Sequence, residues 1–196
     1  MVVNHCTINL MNKLSFNLKR EIVIHFLSLL VFFALITLFK KWFTDPRYLF
    51  FWLGGLLGTL LPDLDHLIYV YLIHPQELTS QRVTRFIEQR QIKETAEILY
   101  RTKNERSKLI FHTIWFQLLF LIFSLFVVTS SGSLIGTGLV LSFLLHLVID
   151  QLVDFLTLEN LDKWLTDLPL SSLTPQVTVF YLILNFLFLF LLAFLF

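Results

Sequence analysis

Ionisable side chains interrupt stretches of this sequence that are otherwise apolar enough to cross a membrane. The set comprises His25, Asp63, Asp65, His66, His112, His146 and Asp150. Each such group costs about 3 kcal/mol to place in the hydrocarbon of a bilayer, so its presence needs a reason. Imidazole and carboxylate together are ligands that zinc, manganese and iron accept. The residue types therefore predict a divalent-metal cofactor, with zinc as the first choice and manganese or iron as alternatives.

The densest part of this set lies in the run Gly58-Thr-Leu-Leu-Pro-Asp-Leu-Asp-His66. Pro62 is expected to interrupt the helix in the middle of the run, because proline cannot donate the backbone hydrogen bond. The small residues Gly54, Gly55 and Gly58 should let a neighbouring helix approach closely. We therefore expect the carboxylates of this run to sit at a break in a tightly packed helix.

A second group has helical spacing. His146 and Asp150 are four residues apart, so they project from one helix face, and Asp154 lies one further turn along that stripe. Cys6 is the only cysteine, which excludes an intrachain disulfide and a thiolate metal site. Any metal must then be held by histidine and carboxylate.

The elements that position these groups are predicted to be membrane helices. The chain has 196 residues, is 56% hydrophobic with 22 Phe, and cannot present that composition to water. Segments of roughly 20 apolar residues span a bilayer, and by that measure there are about five spans, at about 22–43, 48–73, 109–129, 132–156 and 177–196. The first is too long and too far from the N-terminus for a removable signal peptide. We expect an all-α protein with one integral membrane domain over residues 1–196.

The depth of the ionisable groups in these spans is the strongest sign that they act together. Consecutive spans run in opposite directions, so a residue early in one span and a residue late in the next lie at similar depth. His25 and His112 come early in the first and third spans, and the other members of the set come late in the second and fourth. At a rise of about 1.5 Å per residue, all of them fall in a layer on the order of 10 Å deep.

The loop over residues 75–108 is basic and polar. Its positive residues are Arg82, Arg85, Arg90, Lys93, Arg101, Lys103, Arg106 and Lys108. By the positive-inside rule this loop and the N-terminus are cytoplasmic, although Lys40, Lys41 and Arg47 in the first short loop would then face outward. We expect one or two helices at the membrane surface, with a lid or a lipid-headgroup contact as the alternative. No motif for binding nucleic acid is present, and oligomeric state is not predicted.

Three motifs resemble those of a known family. The stretches "LLGTLLPDLDHL", "FHT" and "SFLLHLVIDQL" are similar to the motifs of the LexA-regulated, membrane-bound metal-dependent hydrolases, namely a G-x-x-LPD-x-D-H block, a T-H-S block and an H-x-x-x-D block. The resemblance covers residues from about 25 to 155 and assigns Asp63, Asp65 and His66, then His112, then His146 and Asp150, with His25 as the N-terminal histidine. It implies a fold similar to zinc-dependent phospholipase C and P1 nuclease, and hydrolysis of a phosphoester.

The middle motif departs from the family pattern. The family has H-R-G-x-T-H-S, and this chain has Ser107, Lys108, Leu109 and Phe111 where the pattern has His, Arg, Gly and Thr. Lysine cannot make the bidentate contact with an anion that arginine makes. The departure puts catalysis in question and favours, as an alternative, a non-catalytic membrane protein whose metal or His/Asp cluster fastens the helices.

The predicted mechanism is metal-assisted hydrolysis, in which the metal activates a water molecule and polarises the substrate. The predicted ligands are Asp63, His66, His112, His146 and Asp150, with Asp65 as a ligand or as the base that takes the proton of the water, and His25 as a ligand or an outer partner. Lys108 is predicted to pair with a substrate anion. Because the site lies below the membrane surface, a lipid headgroup in the same leaflet could reach it. A metal or proton transporter is the remaining alternative, although it requires polar groups in both halves of the membrane.

Overall fold

The computed structural model describes residues 2–106, 109–158, 161, 164, 165 and 174–196, with side chains from Leu18 onward apart from Asn104. The helices are α1 (Val2–Phe39), α2 (Tyr48–Leu60), α3 (Leu64–Ile68), α4 (Leu78–Glu88), α5 (Ile92–Arg101), α6 (Ile114–Ser130), α7 (Leu134–Leu158) and α8 (Pro175–Leu195). A π-helical turn, Tyr69–Ile73, follows α3. Helices make up most of the described residues, and no strand occurs in these ranges, which confirms the all-α prediction.

Within the described part of the chain, four helical stretches are long and apolar enough to cross a membrane, so the chain is a membrane protein by length and composition. They are Leu18–Phe39, Tyr48–Ile73, Leu134–Leu158 and Pro175–Leu195. The predicted third span, at about 109–129, begins later than expected, because Thr113 has an extended backbone and its side chain accepts a hydrogen bond from the backbone N–H of Phe116. The resulting α6 has 17 residues and a length of about 26 Å, slightly less than the hydrocarbon thickness.

The chain divides into two compact units. The first unit contains Met1–Ile24 and Asp63–Leu109, and the second contains His25–Pro62 and Ile110–Phe196. Both units draw on two separate stretches of the sequence, and the boundary in α1 falls immediately before His25. The single integral membrane domain expected over the whole chain stays a prediction.

In the second unit, α2 and α7 touch through their backbones. A Cβ atom added at Gly54 would lie 2.1 Å from the carbonyl oxygen of Ile135, and one at Gly58 would lie 2.2 Å from that of Leu139. On the facing helix, a Cβ atom at Gly138 would lie 2.1 Å from the carbonyl oxygen of Phe51. The close approach expected from the glycines is therefore confirmed, and only glycine fits at these contacts.

The middle of α7 is the most enclosed part of the second unit. Residues 140–149 are all buried, and Leu141, Leu144 and Leu147 lose essentially all their solvent contact. The burial of every residue in this stretch shows that other parts of the chain surround it. Polar side chains on this part of α7 are consequently withdrawn from both water and lipid.

The first unit confirms the helices expected in the basic loop. Helices α4 and α5 pack on each other and are joined by a turn in which Arg90 has φ 58°, the left-handed conformation. Lys103 forms an ion pair with Glu21 of α1. The break expected at Pro62 is also observed, since α2 ends at Leu60 and α3 begins at Leu64.

Candidate metal centre

Asp150 lies at the centre of a group of three histidines in the second unit. Its Oδ1 atom is 3.1 Å from Nε2 of His25, and its Oδ2 atom is 3.2 Å from Nε2 of His112 and 3.3 Å from Nε2 of His146. These side chains come from α1, from the segment before α6, and from α7. The structure thus joins residues far apart in the sequence that the depth argument assigns to one layer.

The proton of His146 can be located from its surroundings. Its Nδ1 atom lies 2.7 Å from the backbone carbonyl oxygen of Thr59, and a carbonyl oxygen can only accept. Nδ1 therefore carries a proton and donates it to Thr59. The Nε2 atom, directed at Asp150, then carries a lone pair in the neutral ring. A lone pair facing a carboxylate requires either a second proton on the ring or a cation between the two groups.

The arrangement passes a geometric test for a metal. Ligand atoms of His25, His146 and Asp150 all lie within 4.8 Å of one another. Two ligand atoms that share a zinc ion at about 2.1 Å, at a tetrahedral angle, lie about 3.4 Å apart. The distances of 3.1 and 3.3 Å from these histidines to Asp150 are close to that value. The bond from His146 to a backbone carbonyl is also the usual outer contact of a metal-ligating histidine.

His112 occupies the outer position of this group. It contacts Oδ2 of Asp150 but is not one of the three residues whose ligand atoms lie mutually close. Its ring lies 5.2 Å from that of Trp164, whose indole N–H donates to Oδ2 of Asp154 at 3.0 Å. The ring of His25 lies 4.1 Å from that of His146 between centroids, at an interplanar angle of 33°. The ligand roles expected for His25 and His112 stay predictions.

Trp164 is a residue that sequence reasoning missed. It is 2% exposed and belongs to a buried cluster that includes Leu147, Leu161 and Leu182. Its packing against His112 depends on tertiary contacts, so nothing in the local sequence distinguishes it from a tryptophan at a membrane interface. Asp154, one turn beyond Asp150, holds this indole in place.

The remaining predicted ligands, Asp63, Asp65 and His66, belong to the first unit. Asp65 is fully buried, Asp63 is exposed just before α3, and Nδ1 of His66 accepts a hydrogen bond of 3.2 Å from Nε of Arg106. Their role as metal ligands stays a prediction. Lys108, the predicted partner of a substrate anion, lies outside the described residues.

Arg106 is a second residue that sequence reasoning missed. The sequence presents it as one of several charges in a solvated loop, but it is 3% exposed. Its guanidinium donates to Oγ1 of Thr102 at 2.8 Å and to the backbone carbonyl of Leu99, besides His66. Burial lowers the pKa of Arg106 to about 10, which still leaves the group charged at neutral pH.

A network of neutral polar side chains joins α6, α7 and α8. Nε2 of Gln151 donates to Oε1 of Gln117 at 2.7 Å, and Nδ2 of Asn185 donates to Oε1 of Gln151 at 3.2 Å. The hydroxyl of Tyr181 donates to Oε1 of Gln117. Gln117 and Asn185, which look like isolated amides in the sequence, are therefore linked through Gln151, the residue after Asp150.

Comparison of the chain with protein families, with curated proteins and with solved structures finds no match.

Proposed function

We propose that this protein is a membrane-bound, metal-dependent hydrolase of a phosphoester. The observation that carries the proposal is the orientation of His146, which donates from Nδ1 to the carbonyl of Thr59 and directs Nε2 at Asp150. This leaves a lone pair and a carboxylate facing the same point, where a divalent cation would satisfy both.

The number of ligands supports a catalytic centre over a structural one. Among the described residues, His25, His146 and Asp150 could provide three protein ligands, the number found in catalytic zinc sites, whereas structural zinc sites are closed by four. A zinc, manganese or iron ion held by them would activate a water molecule and polarise a phosphoryl oxygen. His112 contacts Asp150 and the carbonyl of Thr59 contacts His146, so each limits the rotation of one ligand side chain.

The surroundings of the centre support chemistry in a dry site. Trp164, Leu147 and Leu161 are each at most 2% exposed and belong to the apolar cluster beside His112. Such apolar packing limits the access of bulk water, and the resulting low dielectric strengthens the electrostatic contacts of Asp150. The side chains of the chain therefore hold, orient and partly shield the reacting groups.

The resemblance of three motifs to the LexA-regulated membrane-bound hydrolases supports the same proposal and adds the phosphoester. Because the centre is built from membrane-spanning helices, we propose a lipid with a phosphate in its headgroup as the substrate class. We further propose that the protein resides in the cell (inner) membrane with its N-terminus and basic loop in the cytoplasm, from the excess of Lys and Arg over residues 75–108.

The test is metal content and hydrolysis in the same preparations. Full-length protein purified in detergent without chelator should carry about one divalent ion per chain. His146→Gln and His25→Gln should carry less than about a tenth of that amount, since each loses a ligand. The matched control is His74→Gln, because His74 belongs to the first unit and contacts Glu77.

Activity is then measured on a panel of lipid phosphoesters. Wild type should hydrolyse at least one of them, lose this activity on chelation, and regain it when zinc or manganese is added back. Hydrolysis that is equal in wild type and His146→Gln would contradict the proposal.

A structural role is the second candidate. The contacts of His25, His112 and His146 with one carboxylate would also fasten α1, α7 and the segment before α6. This candidate predicts bound metal, or a stable cluster without metal, and no hydrolysis of any substrate in the panel.

A further inference from the structure

We infer that Arg106 holds His66 in the tautomer that carries its proton on Nε2, so that His66 serves as a hydrogen-bond donor and not as a metal ligand.

The contact between the two side chains fixes the position of the proton. Nε of Arg106 lies 3.2 Å from Nδ1 of His66. A guanidinium has only donors, so the atom that faces it must offer a lone pair. Nδ1 of His66 is therefore unprotonated, and the single proton of the neutral ring lies on Nε2. A doubly protonated ring has no lone pair and could not accept this bond.

The guanidinium is fixed well enough to impose that choice. Nη1 donates to Oγ1 of Thr102 at 2.8 Å and Nη2 donates to the carbonyl oxygen of Leu99. Helix α5 ends at Arg101, so the carbonyl of Leu99 is one of the last four, which have no partner inside the helix. A cation at this end also complements the helix dipole. Arg106 thus completes the end of α5 and presents its Nε–H donor to His66.

This pattern is incompatible with metal binding by His66. A metal-ligating histidine gives a lone pair from one nitrogen and donates a proton from the other. In His66 the lone pair of Nδ1 is already engaged by Arg106, and Nε2 carries the proton. An N–H at Nε2 suits an oxygen acceptor, such as a phosphoryl or carboxylate oxygen. The exclusion of His66 from metal binding rests on the proposed function, and it restricts the histidine ligands to the second unit.

The tautomer is tested by 15N NMR of histidine-labelled, full-length protein in detergent. His66→Gln identifies the His66 signals, which should report an unprotonated Nδ1 and a protonated Nε2. Arg106→Leu should shift the Nδ1 signal toward the average of exchanging tautomers, and Arg106→Lys should preserve part of the wild-type signal. Arg101→Leu is the matched control, because Arg101 is exposed and is the last residue of α5. This change should leave the His66 signals as they are in the wild type.

Two results would overturn the assignment: a protonated Nδ1 in the wild type, or an unchanged His66 signal in a folded Arg106→Leu protein. If Arg106→Leu fails to fold, the wild-type signal and Arg106→Lys still decide the question.

Metal analysis separates this inference from the proposed function. His66→Gln should retain the metal content of the wild type, whereas His146→Gln should lose at least tenfold. Loss of metal in both variants overturns the inference and leaves the metal centre standing. Absence of metal from the wild type overturns the proposed function. The NMR experiment still determines which nitrogen of His66 carries the proton.

Discussion

His146 and His66 are chemically identical side chains whose Nδ1 atoms face opposite partners. In the second unit, Nδ1 of His146 faces the carbonyl oxygen of Thr59 and must donate. In the first unit, Nδ1 of His66 faces the guanidinium of Arg106 and must accept. The two rings therefore carry their proton on different nitrogens, and only His146 directs a lone pair from Nε2.

Residue type and spacing therefore do not decide what a histidine does. Both residues lie in apolar segments that also contain aspartates. What separates them is one atom opposite Nδ1, supplied by a backbone carbonyl in one case and by a distant arginine in the other. Substitutions around the two histidines should therefore differ in their effects on metal binding and on stability.

Asp150→Asn should have the largest effect, because it removes the charge that His25, His112 and His146 share while keeping the volume of the side chain. We expect metal affinity to fall on the order of 100-fold. Removing one partner of a buried charged cluster should also lower the free energy of unfolding by about 3 kcal/mol. Elemental analysis and denaturation in detergent measure the two effects.

The matched control for this change is Asp154→Asn, one turn further along α7, whose carboxylate contacts Trp164. It should retain the metal. If Asp150→Asn binds as much metal as Asp154→Asn, Asp150 and His146 do not form a metal centre. The contrast between His146 and His66 would then have no bearing on metal binding.

Gly58→Ala should have the next largest effect. The new methyl group would lie 2.1 Å from Oγ of Ser142 and 2.2 Å from the carbonyl oxygen of Leu139, so α2 and α7 must separate. Overpacking of this kind costs about 1–3 kcal/mol, measured as a loss in the free energy of unfolding.

Gly136→Ala, on the facing helix α7, is the control for Gly58→Ala, since its nearest atoms would be side-chain atoms at 3.3 Å. The free energy of unfolding of the Gly136→Ala protein should not fall. Equal losses in the two variants would show that the contact between α2 and α7 does not determine the result.

Thr102→Val tests the surroundings of His66 in the first unit. It removes the acceptor for Nη1 of Arg106, and a hydrogen bond to a charged group contributes about 1.5–3 kcal/mol. We expect the free energy of unfolding to fall by an amount near the lower limit of this range, with metal content unchanged. Thr95→Val is matched to it, because both threonines donate to the carbonyl four residues earlier, and Thr102 additionally accepts from Arg106.

A smaller loss in Thr102→Val than in Thr95→Val, measured by denaturation of both proteins under the same conditions, would contradict the anchoring of Arg106.

Gln151→Leu should have the smallest effect. Hydrogen bonds between membrane helices contribute about 0.6 kcal/mol on average, and Gln151 makes contacts with Gln117 and Asn185. We expect a loss of about 1 kcal/mol in the free energy of unfolding without loss of metal. Asn185→Leu in the Gln151→Leu background should cost less than in the wild type, since the shared bond is already absent. Strict additivity would indicate that the network does not act as a unit.

The sequence was sufficient to predict features that depend on periodicity and depth. Antiparallel membrane helices bring residues of similar depth together, which is why His25, His112, His146 and Asp150 could be grouped from the sequence alone. The glycine contact of α2 with α7 followed from side-chain size. Helices α4 and α5 followed from the high share of helix-forming residues in the basic loop.

The details that decide the chemistry could not be predicted in this way. The carbonyl of Thr59 has no signature in the sequence, because every residue has a backbone carbonyl and only packing selects one. Arg106 is indistinguishable in the sequence from the seven other positive residues of the loop. Among those whose side chains the structure describes, only Arg106 is buried. The position of His25 beside His146, and that of His112 at the edge of the group, depend on tertiary packing, which hydrophobic periodicity does not resolve.

The glycine contact between α2 and α7 has a mechanical consequence. Thr59 directly follows Gly58, so the spacing that the glycines permit also sets the 2.7 Å distance from the carbonyl of Thr59 to His146. Such a bond weakens beyond about 3.2 Å, so a separation of about 0.5 Å is enough to break it, and Nδ1 then loses the acceptor that keeps the proton on this nitrogen. The spacing of α2 and α7 thereby sets which nitrogen of one imidazole ring carries its proton.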